Sequence, residues 1–166
     1  MASSRCCMVG LYGTGKTSLV RQFVHAKFSE KYLSTVGVKI DRKPVRAADQ
    51  DVNLLLWDLE GRDEVQDINT SYLRGAAGIF YVVDGTRRDT LTQVFDLRTA
   101  VEHAVGEVPA VLALNKADLV DAWIVTDGDR EALHRVPWHV FDTSARTGDG
   151  VEAAFLWLAA TMQAAR

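Results

Sequence analysis

The chain is 166 residues long, with a formal net charge of -3 and a sequence pI near 5.8. That length can bury a substantial core without disulfides or metal, and the acidic balance speaks against a nucleic-acid partner, which calls for a basic domain. No apolar run reaches the length of a membrane span, and 48% hydrophobic with 25% charged residues is ordinary for a globular chain; the reading is one domain over 1–166.

In chain order, Arg5–Val9 is an apolar run that reads as a buried strand. It holds the only cysteines, Cys6 and Cys7, which alternate to opposite faces and so are poorly placed to bridge; they read as buried thiols of a reducing compartment. Gly10-Leu11-Tyr12-Gly13-Thr14-Gly15-Lys16-Thr17 follows and matches G-x-x-x-x-G-K-[ST] at every fixed position, opening a helix over Gly15–Ala26. A polar loop, 27–37, leads to Val38–Val45, whose alternation of apolar and basic residues predicts a half-exposed strand, with Pro44 placing it at a sheet edge. Residues 47–50 turn the chain into Val52–Trp57, which reads as a strand buried on both faces.

Asp58-Leu59-Glu60-Gly61 comes next, then a polar stretch to Arg74 that reads as loop plus irregular helix. Ile79–Val83 is a buried strand, and Thr90–Val105 has the apolar spacing of a surface helix. Val108–Leu114 is a further buried strand that ends in Asn115-Lys116-Ala117-Asp118. The pattern then predicts a short helix over Asp121–Arg135, a last strand over Val136–Phe141 and a last helix over Val151–Ala165, with Val151, Ala154, Phe155, Leu158 and Met162 on one face. Alternating strands and helices imply an α/β fold with a mostly parallel sheet. Each candidate motif follows a strand, at the carboxyl edge where such sheets place their sites.

The chemistry of those motifs converges. The glycines of 10–17 let successive backbone N–H groups point inward as an anion nest at a helix N-terminus. Lys16 would reach β- and γ-phosphates, the Thr17 hydroxyl would ligate Mg²⁺, Asp58 would hold the same ion directly or through water, and Gly61 N–H could approach a γ-phosphate. Asp118 at a purine edge can accept from the N1–H and 2-amino group of guanine, whereas adenine offers it a lone pair. Thr143-Ser144-Ala145, past the last strand, would add backbone donors for the base oxygen.

These residues carry a resemblance to the Ras-superfamily small GTPases, nearest the Rab-like branch. It rests on Gly10–Thr17, Tyr32-Leu33-Ser34-Thr35-Val36-Gly37-Val38, Trp57-Asp58-Leu59-Glu60-Gly61, Ser71-Tyr72-Leu73-Arg74-Gly75-Ala76, Asn115–Asp118 and Thr143-Ser144-Ala145-Arg146-Thr147-Gly148, in the family's order. The resemblance implies a P-loop NTPase fold: six strands, five parallel and one antiparallel edge strand carrying Pro44, with helices on both faces. It implies a nucleotide site of Gly13, Thr14, Gly15, Lys16, Thr17, Ser18, Phe28, Tyr32, Thr35, Gly61, Asn115, Lys116, Asp118, Ser144, Ala145 and Arg146, and a Mg²⁺ site of Thr17, Thr35 and Asp58. Phe28 would pack on guanine, Tyr32 would cross the phosphates and Lys116 would flank the base. Lys16, Thr35, Gly61 and Arg62 would form the catalytic corner. Residues 27–38 and 60–75 would be switches that signal to effector and regulatory proteins as GTP becomes GDP.

The departures from the family fall in that corner. Arg62 stands where most relatives carry a water-positioning glutamine, and a guanidinium only donates hydrogen bonds. The expectation is slow GTP hydrolysis; the competing one is that Arg62 folds back as an arginine finger in cis. Tyr12 replaces a small residue beside the γ-phosphate and would obstruct a partner's arginine if it points inward, while Glu60 adds charge near the phosphates or a partner for Arg62. The alternative function is a hydrolysis-deficient GTP/GDP-binding adaptor set by exchange alone. Residue 2 is Ala, which excludes N-myristoylation, the chain ends Ala164-Ala165-Arg166 without a cysteine to prenylate, and there is no signal peptide. The expectation is a cytoplasmic protein with no membrane anchor in this chain, as in bacterial relatives of the family, the other reading being a tail that has been removed.

Overall fold

The computed structural model describes residues 1–31 and 35–166, so the expectation for Tyr32 lies outside the described residues. Strands β1 (Ala2–Val9), β2 (Val38–Ala47), β3 (Gln50–Leu59), β4 (Gly78–Asp84), β5 (Ala110–Asn115) and β6 (His139–Asp142) form one sheet in the order β2-β3-β1-β4-β5-β6. Only the β2–β3 pair is antiparallel, and β2 is an edge strand carrying Pro44, as its composition predicts. Ala48 and Asp49 both take positive φ (50° and 60°), the geometry of the two-residue hairpin turn that joins β2 to β3.

Side-chain alternation along the strands makes two cores. Helices α1 (Lys16–His25) and α4 (Val151–Ala164) cover one face, burying Cys6, Met8, Leu54, Leu56, Phe80 and Val82. Phe155 ties that layer together: it stacks on Phe23 of α1 at 4.2 Å and on Phe80 of β4 at 4.4 Å. Helices α2 (Arg88–Val105) and α3 (Asp127–His134) cover the other face, burying Cys7, Val9, Ile79, Tyr81 and Val83. Cys6 and Cys7 thus lie on opposite sides of the sheet, and burial pushes both thiols up, Cys7 to about 11.

Three local predictions are corrected. Trp57 and Leu55 are half-buried, so β3 is not covered on both faces. Residues 60–77 hold two 3₁₀ turns, Val65–Asp67 and Thr70–Leu73, the loop and irregular helix expected there. The Arg5 guanidinium covers Trp57, its carbon 4.1 Å from the ring centre. Helix α3 begins only at Asp127, because Thr126 and Asp129 form a reciprocal capping box there. Strand β6 begins only at His139, because Val136 N–H bonds Leu133 O and Trp138 N–H bonds Val136 O, turning the chain around Pro137.

Candidate functional site

The carboxyl ends of β1, β3, β5 and β6, with the loops that follow them, open onto one cleft of about 440 Å³. The Gly10–Thr17 loop crosses its floor between β1 and α1. Gly15, the N-cap of α1, sits at φ 101°, and a Cβ there would lie 2.3 Å from Asn115 Nδ2. Conformation and space therefore both demand glycine at this position. No side chain caps α1, so its first N–H groups remain available to an anion.

At the floor, Lys16 is 6% exposed and its Nζ donates to Gly10 O (3.1 Å) and Leu11 O (3.3 Å). Burial lowers its pKa to about 8, against the opposing pull of Asp58. The Thr17 hydroxyl donates to Asp58 Oδ2 at 2.6 Å and lies 2.7 Å from the Thr35 hydroxyl, which is itself 3.2 Å from the same carboxylate oxygen. Burial pushes the Asp58 carboxyl up, opposed by the bonds from Thr17 and Thr35 and by the Lys16 charge. Its second oxygen, Oδ1, is buried and has no hydrogen-bond partner among the described residues. Two hydroxyls and a carboxylate with an orphaned oxygen form a hard-oxygen set that fits Mg²⁺. Gly61 closes this end: a Cβ on it would stand 2.7 Å from Lys16 Nζ and 2.9 Å from Tyr12 Cα.

At the other end, Asp118 lines the cleft, one oxygen fixed by Ser144 Oγ at 2.8 Å. Asn115 Nδ2 donates to Thr14 O at 3.0 Å, and its carbonyl accepts from Thr143 Oγ1 at 3.1 Å. Lys116, at φ 69°, donates to Gly13 O at 3.0 Å. The loop of 143–146 is held by Gln22 Nε2, which donates to Ala145 O at 2.7 Å.

Of the predicted residues, Gly13, Gly15, Lys16, Thr17, Ser18, Phe28, Thr35, Gly61, Asn115, Lys116, Asp118, Ala145 and Arg146 line the cleft. Thr14 and Ser144 lie buried behind it and brace it, Thr14 by donating to Leu11 O at 3.0 Å and Ser144 through Asp118. Asp58 is fully buried beneath the floor. Arg62 is not brought in: its guanidinium pairs with Glu60 at 2.9 Å, along a groove shared with Val36, Gly37 and Tyr72. Glu60 Oε2 also accepts from Gly37 N at 3.4 Å, so Glu60 joins the two flanking loops. Tyr12, 44% exposed, stands at the rim.

Sequence reasoning missed three contributors. Asp84 is fully buried at the end of β4 and pairs with Lys116 at 2.7 Å; an acid closing a buried strand was a readable signal. Glu30 reaches across the mouth to Arg146 at 3.7 Å, and Arg87 donates to Tyr12 O at 2.7 Å. Neither pairing has a local sequence signature.

Comparison with known proteins agrees with this geometry. The model of the Ras family matches residues 5–164. The chain is 33% identical to the Ras-related protein Rab-1 of Theileria annulata over 94% of its own length and 72% of that protein. It is 34% identical to the Ras-related protein SEC4 of Saccharomyces cerevisiae (94% of this chain, 73% of that protein). It is also 34% identical to the Ras-related protein Rab-10 of Diplobatis ommata (92% and 77%). The chain belongs to the Ras family: it is a Rab-like small GTPase, a GTP-binding hydrolase of the α/β P-loop fold.

Proposed function

We propose that this protein is a guanine-nucleotide switch with slow intrinsic turnover, built as a single domain over 1–166 and working in the cytoplasm. One observation carries the reading. A single cleft has Lys16 and the Thr17–Thr35–Asp58 cluster at one end and Asp118, held by Ser144, at the other. That arrangement suits a triphosphate at the first end and a guanine at the second.

In this account the N–H groups of Gly13, Gly15, Thr17 and Ser18 cradle the phosphates and Lys16 neutralises their charge. Thr17, Thr35 and Asp58 hold Mg²⁺, which when bound offsets charge on the β- and γ-oxygens. The base stacks on Phe28 and is flanked by Lys116, while the Asp118 carboxylate accepts from its N1–H and 2-amino group. Ser144, Ala145 and Arg146 close over it. Gly61 N–H meets the γ-phosphate, so residues 27–38 and 60–75 respond to its loss and present a changed surface to effector and regulatory proteins.

Turnover is slow because Arg62, where most relatives carry the water-positioning glutamine, offers the attacking water no acceptor. Arg62 carries only donors, and its guanidinium is engaged by Glu60. Tyr12 at the rim narrows the path for an arginine from a partner. Competition binding tests the base assignment: GTP and GDP should displace a fluorescent guanine nucleotide, ITP (without the 2-amino group) more weakly, and ATP hardly at all. Equal displacement by ATP would overturn it. Tight GTP binding with no phosphate release over hours would support the adaptor reading over the switch.

A further inference from the structure

The carbonyls of the phosphate loop can be accounted for one by one. Gly10 and Leu11 accept from Lys16 Nζ, and Leu11 also from Thr14 Oγ1. Gly13 accepts from Lys116 Nζ, Thr14 from Asn115 Nδ2 and Gly15 from Leu19 N. The Tyr12 carbonyl accepts from Arg87 Nη1 at 2.7 Å. Lys116 and Asn115 belong to the base-reading motif; Arg87 belongs to no motif of this chain.

A carbonyl's partner matters here for a geometric reason. In a trans peptide, the C=O and the next residue's N–H point in opposite directions. Holding a carbonyl away from the cleft therefore turns the following N–H toward it. Asn115 does this for the peptide entering Gly15. For the peptide entering Gly13 the restraint comes from Arg87. Gly13 sits at φ 77°, where a residue without Cβ lets the preceding peptide rotate at little cost. That peptide needs an outside anchor. Arg87 is well placed as one: it is the N-cap of α2, its N–H bonds Asp84 O at 3.0 Å, and Asp84 is the buried partner of Lys116. Tyr12 is held on its other side too, its N–H donating to Arg62 O at 2.9 Å.

We propose that Arg87 is a positioning residue of the nucleotide site, fixing the Tyr12–Gly13 peptide so that Gly13 N–H faces the phosphates. The inference rests on the nucleotide reading above and adds a residue outside every motif to it. Arg87 touches neither base nor phosphate in this role; it acts through Tyr12.

The test compares wild type, Arg87→Ala, Arg87→Lys and Asp89→Ala, each loaded with a fluorescent GDP analogue. Removing a charge-assisted hydrogen bond at a partly exposed site should speed release about tenfold in Arg87→Ala. It should also shift the Gly13 amide resonance of the GDP-bound protein. Arg87→Lys, which keeps one donor, should recover most of both effects. Asp89→Ala removes only the 3.3 Å partner of Arg87 and should release nucleotide like wild type. If Arg87→Ala does not fold, Arg87→Gln, too short to reach, replaces it with the same expectation. Release within twofold of wild type with an unmoved Gly13 amide would overturn the assignment, whatever the melting temperature does. A wild type that takes up no guanine nucleotide would instead overturn the nucleotide reading itself.

Discussion

The two ends of the active cleft are built differently. At the base end and along the phosphate loop, every fixed residue is tied to another element. Asn115 spans Thr14 and Thr143, Lys116 spans Gly13 and Asp84, and Ser144 orients Asp118. Across from them, 60–74 is built of 3₁₀ turns anchored by buried Ile68 and Leu73, with a Glu60–Arg62 pair, a backbone bond from Tyr12 and bonds between Glu60 and Gly37. In this second region, Arg62 is paired with Glu60 and carries only donors. Under the function proposed above, this GTPase fold keeps its ligand site intact while turnover is retuned in a few residues, Tyr12, Glu60 and Arg62.

The largest expected effect breaks the first region. Asp118→Ala leaves the guanine N1–H and 2-amino donors unpaired, so GTP affinity should fall by about 10³-fold or more and the preference over ATP should vanish, as read by competition binding. Gly61→Ala acts on the second region. The added Cβ must displace Lys16 Nζ or the Tyr12 backbone. Single-turnover hydrolysis should fall by about 10²-fold, and GDP affinity should fall less than GTP affinity, because Gly61 N–H meets only the γ-phosphate while Lys16 serves both nucleotides. If both nucleotides weaken equally, the two regions are not separable.

The smallest effect serves as a control on stability alone. Asp129 is held at about 2, first by the Arg88 guanidinium and also by the Thr126 cap. A depressed carboxyl contributes stability that is present above its unfolded pKa near 3.8 and is lost as pH falls through about 2. Thermal melts of wild type and Asp129→Asn should therefore differ by a degree or two at most at pH 5, since the pair is exposed, and converge as pH falls through about 2. Nucleotide affinity should be the same in both. A difference in affinity would mean that α3 belongs to the site.

How much of this was legible in the sequence depended on how local the cause was. Gly10–Thr17 and Asn115–Asp118 could be read because fixed spacing within a few residues sets their backbone geometry. Pro44 marked the edge strand because a missing N–H is tolerated there. The half-burial of Trp57 could not be read, since it depends on whether residues far along the chain form a helix over it; they form turns, and Arg5 takes the place. The start of α3 was written in Thr126 and Asp129, three residues apart, a capping pair that is local and readable. Arg87 lies 75 residues from the carbonyl it holds, and only the register of β4 beside β1 brings them together.

The most direct test of the account is single-turnover hydrolysis of GTP loaded with Mg²⁺, comparing wild type with Arg62→Gln. The account predicts firm loading of both and phosphate release by wild type at or below the roughly 10⁻⁴ s⁻¹ intrinsic scale of Ras. Arg62→Gln, which restores an acceptor for the water, should be about tenfold faster. A wild type faster than Arg62→Gln would contradict the account, because it would make Arg62 an arginine that accelerates the reaction from within the chain.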